Sequence, residues 1–140
     1  MTLAISLDIE TLSTHKNAVV LTIGATTISL DGSDEKTFYV RLDPQEQIDF
    51  GRHVSALTIR WWMQQSRTAQ MGAFEGRTLK AATGIELLSA WLAEEGNPPV
   101  YTNGPAFDAA ILGSLAEDLE MPAPWSHRQN RDLRTVEECI

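Results

Sequence analysis

Residues 3–12 read LAISLDIETL, and the fold turns on this stretch. Apolar and polar residues alternate along it. As a strand it places Leu3, Ile5, Leu7 and Ile9 on one face and sets Asp8 and Glu10 together on the other. Two carboxylates at a strand's C-terminal end, about 6–7 Å apart along one face, repel each other. Burying them is unfavourable unless something cationic sits between them. A divalent ion such as Mg2+ or Mn2+, which takes hard oxygen ligands, is the obvious filler. The plainer alternative is a solvated strand exit with both acids in water.

The totals narrow the field. The chain has 140 residues, 43% of them hydrophobic, which suits one globular domain with a real core. It lacks a run of about 18 apolar residues, and no basic segment leads into a long apolar one, so neither a membrane span nor a secretory signal is expected. The single cysteine, Cys139, allows no internal disulfide and no multi-cysteine zinc site. Cytoplasm is the default compartment. A net charge of −8 argues against a broad phosphate-binding face. It leaves room for a narrow groove that is locally basic, and Arg128, Arg131 and Arg134 are clustered in that way.

From there the chain reads in order. Ser13–Asn17 is a polar turn, and Ala18–Leu30 is strand-like, with Gly24 marking a bulge or a close approach. The Asp31-Gly32-Ser33-Asp34 turn leads to a third strand over Thr37–Leu42, completing an antiparallel meander. Asp43–Gly51 reads as loop, with Pro44 as a breaker and with Glu46 and Asp49 as ordinary loop polarity. A helix capped by Ser55 covers 55–66, and Arg67–Arg77 reads as loop because of Gly72 and Gly76. Within that helix Trp61 and Trp62 are adjacent, so one packs inward and the other lies nearer the surface or a cleft. The pair serves either as core and interface packing or as an apolar wall beside a nucleotide base.

Leu79–Glu95 carries an amphipathic helical stripe with Gly96 as its C-cap. Val100-Tyr101-Thr102 is a short strand that the preceding helix brings beside the first one. A helix follows to about Leu119 with Asp108 in its first turn, where an acid suits the helix dipole and can point back toward the sheet. WSHRQNRDLRT at 125–135 is a charged connector, and Thr135 with Glu138 is a capping-box start for a further helix.

Asp8, Glu10 and Asp108 thus converge on one edge of the sheet, where ligands gather in α/β folds. With two metals roughly 4 Å apart, one would activate water and the other would stabilise a leaving oxygen at phosphorus. Asp8 would bridge, Glu10 would hold one metal and orient the water, and Asp108 would hold the other. His15, His53 and His127 read as surface residues. His127 precedes Asp132 by five residues, a spacing that suggests a His–Asp pair, but the two lie in a connector.

These residues resemble the DEDD superfamily of 3′–5′ exonucleases, which has a ribonuclease H-like fold. Within it they are similar to a branch of small phage and bacterial exonucleases that includes the T4-type exonuclease A. LDIETL at 7–12 resembles the first motif, VVLTIGATTI at 19–28 the strand after it, and GRHVSALTIRWWMQQS at 51–66 the segment with paired tryptophans. YTNGPAFDAAIL at 101–112 resembles the second motif, and PWSHRQNRDLRTV at 124–136 the arginine-rich connector. The resemblance implies Asp8, Glu10 and Asp108 as catalytic metal ligands for Mg2+ or Mn2+. It implies a nucleic acid with a free 3′ end as partner, and contact of the Ile9 or Glu10 backbone N–H with the terminal nucleotide. Trp62, Asn103, Phe107, Arg131 and Arg134 are the further expected substrate contacts.

The superfamily's third motif, with its final aspartate, has no assignable position before residue 140. The expectation is therefore a single domain over 1–140 that lacks its C-terminal helix. The expected fold is three-layer α/β, with three antiparallel N-terminal strands and later parallel ones. The expected function is metal-dependent release of nucleoside 5′-monophosphates from single-stranded RNA or DNA. A nucleic-acid-binding remnant without catalysis and a structural or interaction protein are the alternatives. A homodimer is a further expectation, since one tryptophan is surplus to a monomer core.

Overall fold

The computed structural model describes residues 2–32, 35–104 and 107–134. Five strands form one mixed sheet: β1 (Thr2–Thr11), β2 (Val20–Ser29), β3 (Thr37–Arg41), β4 (Val100–Thr102) and β5 (Asn130–Asp132). Their order is β3-β2-β1-β4-β5. The first three are antiparallel, and β1, β4 and β5 are parallel. Among the described residues, five α-helices accompany them: α1 (Pro44–Asp49), α2 (Ala56–Met63), α3 (Arg67–Phe74), α4 (Ala81–Glu94) and α5 (Asp108–Asp118). This is the expected mixed α/β architecture, and it is consistent with the ribonuclease H-like fold that the resemblance implies. Among the described residues no helix is long and apolar enough to cross a membrane.

The period-2 pattern decides which face each layer covers. Ile5, Leu7 and Ile9 of β1, Ile23 and Ala25 of β2 and Val40 of β3 are buried against Ile85, Leu88 and Leu92 of α4 and Ile111, Leu112 and Leu115 of α5. The opposite face is polar. Register sets Glu10 beside Thr22 and Arg41, Asp8 beside Gly24 and Tyr39, and Ser6 beside Thr26, which pairs with Thr37. Across β4 and β5 the row of Ser6 continues through Tyr101 to Arg131. Helices α2 and α3 lie over part of this face. A smaller apolar cluster joins Leu12, Val19 and Leu21 to Trp62 of α2 and Ala73 of α3.

Three segments differ from the sequence reading. Residues 43–51 contain α1, because Asp43 is an N-cap whose carboxylate accepts the Gln45 N–H (2.9 Å) and Pro44 stands in the first turn, where its missing N–H is harmless. Glu46 is not idle there: its carboxylate accepts the Ala81 N–H at 2.8 Å and caps α4, whose own N-cap Lys80 cannot. Residues 67–77 contain α3, started by the Ser66 hydroxyl accepting the Ala69 N–H (3.1 Å). Its Gly72 is tolerated inside the helix, and only Gly76 lies beyond it. The connector 125–135 contains a 3-10 turn at His127–Gln129 and the edge strand β5. The C-terminal helix start at Thr135 and part of the Asp31–Asp34 turn lie outside the described residues.

Two buried polar side chains pin the loops. Gln47 is fully enclosed. Its amide accepts the Val20 N–H and donates to Val20 O, both at 2.8 Å, so one side chain completes the pairing of β2 at its start. Arg52 is buried between the β1–β2 connection and α5. It donates to Ala18 O from Nη2 (2.8 Å), and to Ser114 Oγ and Asp118 Oδ2 from Nη1 (2.9 Å each).

Helix ends give a stability test. After α4, Gly96 takes φ +85° and the Asn97 N–H bonds back to Leu92 O at 2.9 Å. After α5 the same closure is made by Met121 N–H to Ala116 O (2.9 Å), but the left-handed position is Glu120, at φ 56°. A side chain there is disfavoured by about 1 kcal/mol relative to glycine. Glu120→Gly is expected to raise the melting temperature by roughly 3 °C. A lower melting temperature would show that the exposed carboxylate matters more than the backbone.

Candidate active site

The bound length of β4 builds the site. Strand N–H groups alternate between neighbours, so those of Ile5, Leu7 and Ile9 all face β4. Ile5 N–H reaches Pro99 O at 2.9 Å. Because β4 ends at Thr102, no strand carbonyl is left for Ile9. The carboxylate of Asp108 takes its place and accepts the Ile9 N–H. The turn before α5 makes this reach. Gly104, at φ +142°, accepts the N–H groups of Phe107 (2.8 Å) and Asp108 (3.1 Å) through its carbonyl. A Cβ at Gly104 would stand 3.1 Å from the tip of the exposed Arg134 side chain, which can move aside, so it is the backbone conformation that calls for glycine.

Asp108 is only 3% exposed. One of its oxygens, Oδ2, is buried and has no hydrogen-bond partner. Its carboxyl stands within hydrogen-bonding reach of Asp8. Burial, then the neighbouring Asp8 charge, push Asp108 from the ordinary 3.8 up to about 7. Glu10 is also raised, first by its partial burial and then by Asp8. Asp8 is therefore the acid that both of the others feel. Asp108, a hundred residues further on, is thus brought beside Asp8 at the C-terminal end of β1.

All the donors here are hard carboxylate oxygens. The orphaned Oδ2 of Asp108 lacks a positive partner, and like charges crowd around it. That chemistry fits Mg2+ or Mn2+. Among the described residues no three acidic, imidazole or thiolate side chains already stand together as a closed ion cage. The acids meet in pairs through Asp8.

Two cavities flank the acids. One, of about 510 Å3, is lined by Ile9, Glu10, His15, Leu57, Trp61 and Phe107 among others. The second, of about 280 Å3, is lined by Asp8, Glu10, Gly24, Tyr39, Trp61 and Gly72 among others. Glu10, Trp61 and Trp62 form part of the wall of both. A model of the 3′-5′ exoribonuclease Rv2179c-like domain matches residues 4–140. The chain belongs to that family. No curated protein matches it. The 3′-5′ exoribonuclease-like domain thus covers all three acids and both cavities.

The other expected contacts fall at different distances from this centre. The Ile9 side chain is core, and its N–H is held by Asp108. Phe107 lines the larger cavity, and Asn103 is exposed at the exit of β4. Trp62 is 5% exposed, and its indole N–H donates to Thr11 O at 2.9 Å. Trp61, edge-on to it with ring centroids 4.9 Å apart, is 51% exposed. Arg131 shares the polar sheet face, with its guanidinium donating to Arg128 O and Asn130 O (2.8 Å each). Arg134 pairs with Asp132 at 3.4 Å. Asp132 is therefore occupied by Arg134, while His127 sits in the 3-10 turn before β5. His15 stacks on His53 at 4.0 Å, and the buried Ser13 hydroxyl holds His53 Nδ1 at 2.6 Å. Sequence reasoning did not pick out Tyr39 or Thr22 as lining residues. The strand period would have found them, since both share a face with Asp8 and Glu10.

Proposed function

We propose that the chain is a metal-dependent 3′–5′ exonuclease of the DEDD type, releasing nucleoside 5′-monophosphates from the free 3′ end of single-stranded RNA. The observation that carries this reading is the buried Asp108 carboxylate, seated on the Ile9 N–H beside Asp8 with one oxygen unpartnered. The choice of RNA rests on the family's exoribonuclease description. Asp8 would share two divalent cations, with Glu10 holding one and Asp108 the other. When bound, such a pair supplies an activated water and a stabilised leaving oxygen for in-line displacement at phosphorus.

The chain's own residues do the positioning. The larger cavity is of a size to take the terminal nucleoside, with Trp61 and Phe107 as apolar surfaces for its base. Trp62, largely buried behind Trp61, contributes an edge to the same wall. Holding Ile9 N–H, Asp108 is fixed relative to β1, so the acids keep their spacing without reorganisation. Glu10, raised by burial, is placed between the two cavities and suits orientation of a water there.

Asp8→Ala should reduce Mn2+-dependent digestion of a 5′-labelled single-stranded oligoribonucleotide by a thousandfold or so, on the order of what loss of a charge-stabilising group costs. The far-ultraviolet circular dichroism should stay that of the wild type. Undiminished digestion would overturn the assignment.

A further inference from the structure

The polar sheet face continues beyond the acids. A cavity of about 310 Å3 is lined by Ser6, Asp8, Gly24, Thr26, Thr37 and Tyr39, among others. It shares Asp8, Gly24 and Tyr39 with the 280 Å3 cavity beside Glu10, so the two are neighbouring parts of one groove. Gly24 is the reason the floor is open. It stands in register between Asp8 and Tyr39, and a Cβ built there would lie 3.5 Å from Tyr39 Cδ2 and 4.0 Å from the Asp8 carbonyl. A larger side chain would fill the passage without disturbing the strand pairing. Past Asp8 the floor carries the neutral hydroxyls of Ser6, Thr26 and Thr37 and no further carboxylate.

Tyr39 is the fixed feature of this groove. It is 52% exposed, yet held on three sides. Its hydroxyl donates to Gly72 O of α3 at 2.9 Å, its ring edge lies over Gly24, and the Arg41 guanidinium sits 5.0 Å from its ring centroid. Arg41 stands one row nearer Glu10, with its guanidinium against the Tyr39 ring and beside Gly76, so it braces the ring. A rigid exposed ring costs little entropy on binding, and a base stacked on it gains sequence-tolerant affinity. Neutral hydroxyls can donate to a phosphodiester directly, whereas the acids themselves need metals to meet one.

We infer that this groove is the track for the nucleotides 5′ of the scissile bond, with Tyr39 stacking a base beyond the first upstream nucleotide and the Ser6, Thr26 and Thr37 hydroxyls facing the backbone. The inference rests on the exonuclease reading of the acids. The enzyme would then engage the strand on both sides of the acids: the terminal nucleoside by Phe107 and Trp61, and the upstream strand by Tyr39. A dinucleotide, whose single upstream nucleotide stays beside the acids, would forgo the Tyr39 contact.

Turnover of a dinucleotide and of a hexanucleotide with the same 3′ end separates the two readings. In the wild type with Mn2+, kcat/KM for the hexanucleotide should exceed that for the dinucleotide by about tenfold, in line with one stacked base. Tyr39→Leu should erase this difference by lowering only the hexanucleotide value. Tyr39→Phe, which keeps the ring and loses the Gly72 hydrogen bond, should retain most of it. Fluorescence anisotropy of the 5′-labelled hexanucleotide without turnover, in Ca2+, should weaken by a similar factor in Tyr39→Leu alone. Equal kcat/KM for both lengths in the wild type, or equal losses on both in Tyr39→Leu, would overturn the track while leaving the exonuclease reading intact. Cleavage of neither substrate by the wild type would overturn both.

Discussion

Asp108→Asn is expected to make the metal-free protein more stable at pH 8 and to abolish its nuclease activity. The two effects share one cause. Asp108 is buried beside Asp8, and its carboxyl is pushed from 3.8 up to about 7. Below about pH 4 the group is protonated in folded and unfolded chains alike. Between about 4 and 7 the folded form keeps a proton that the unfolded chain has released, so stability falls as pH rises. Above 7 the full penalty is present, roughly 2–4 kcal/mol for a shift of this size. Asparagine keeps an oxygen for the Ile9 N–H and offers an N–H to Asp8, without the charge. Its melting temperature should exceed that of the wild type by several degrees at pH 8 and converge with it near pH 4. Saturating Mn2+ should reverse the order, because the ion stabilises only the chain that binds it. A wild type whose metal-free stability rises steadily from pH 4 to 8 would contradict this.

Arg52→Met should be the most damaging single change outside the acids, lowering stability by about 3 kcal/mol. That is a large share of the 5–15 kcal/mol typical of a domain. Methionine fills much of the arginine's volume, so the loss is one of hydrogen bonds rather than of packing. The carbonyl of Ala18 loses two donors, at 2.8 and 3.1 Å, and the Ser114 hydroxyl and Asp118 lose theirs. Asp118 is partly exposed and recovers water, so the ion pair is the smaller part of the effect. Urea denaturation should show a lower midpoint at an unchanged slope. Asp118→Asn should shift the midpoint far less. Equal shifts for the two variants would assign the effect to the ion pair instead.

Much of this was legible in residues 3–12. Strict alternation put Asp8 and Glu10 on one face, and helical spacing placed Ile85, Leu88 and Leu92 on one stripe. Asp108 was legible as a first-turn acid. Its seat was not, because that depends on where β4 stops: only a strand ending at Thr102 leaves the Ile9 N–H for a carboxylate. Helix α1 was hidden by reading Pro44 as a breaker, although an aspartate followed by proline is as good a helix start as it is a stop. Two glycines outweighed Ser66 in the reading of α3. Strand β5, Asn-Arg-Asp, has no strand-like composition at all and owes its form to pairing with β4. The adjacent tryptophans announced that one would be buried, but the choice of Trp62 was made by the distant Thr11 carbonyl.

Titration of Mn2+ into the full chain by calorimetry, in the absence of nucleic acid, tests most directly whether the three acids hold divalent ions. The wild type should give saturable binding with proton release near neutral pH, and Asp8→Ala and Asp108→Asn should each lose most of it. A wild type that takes up no Mn2+, or variants that bind it as the wild type does, would contradict the assignment of these carboxylates.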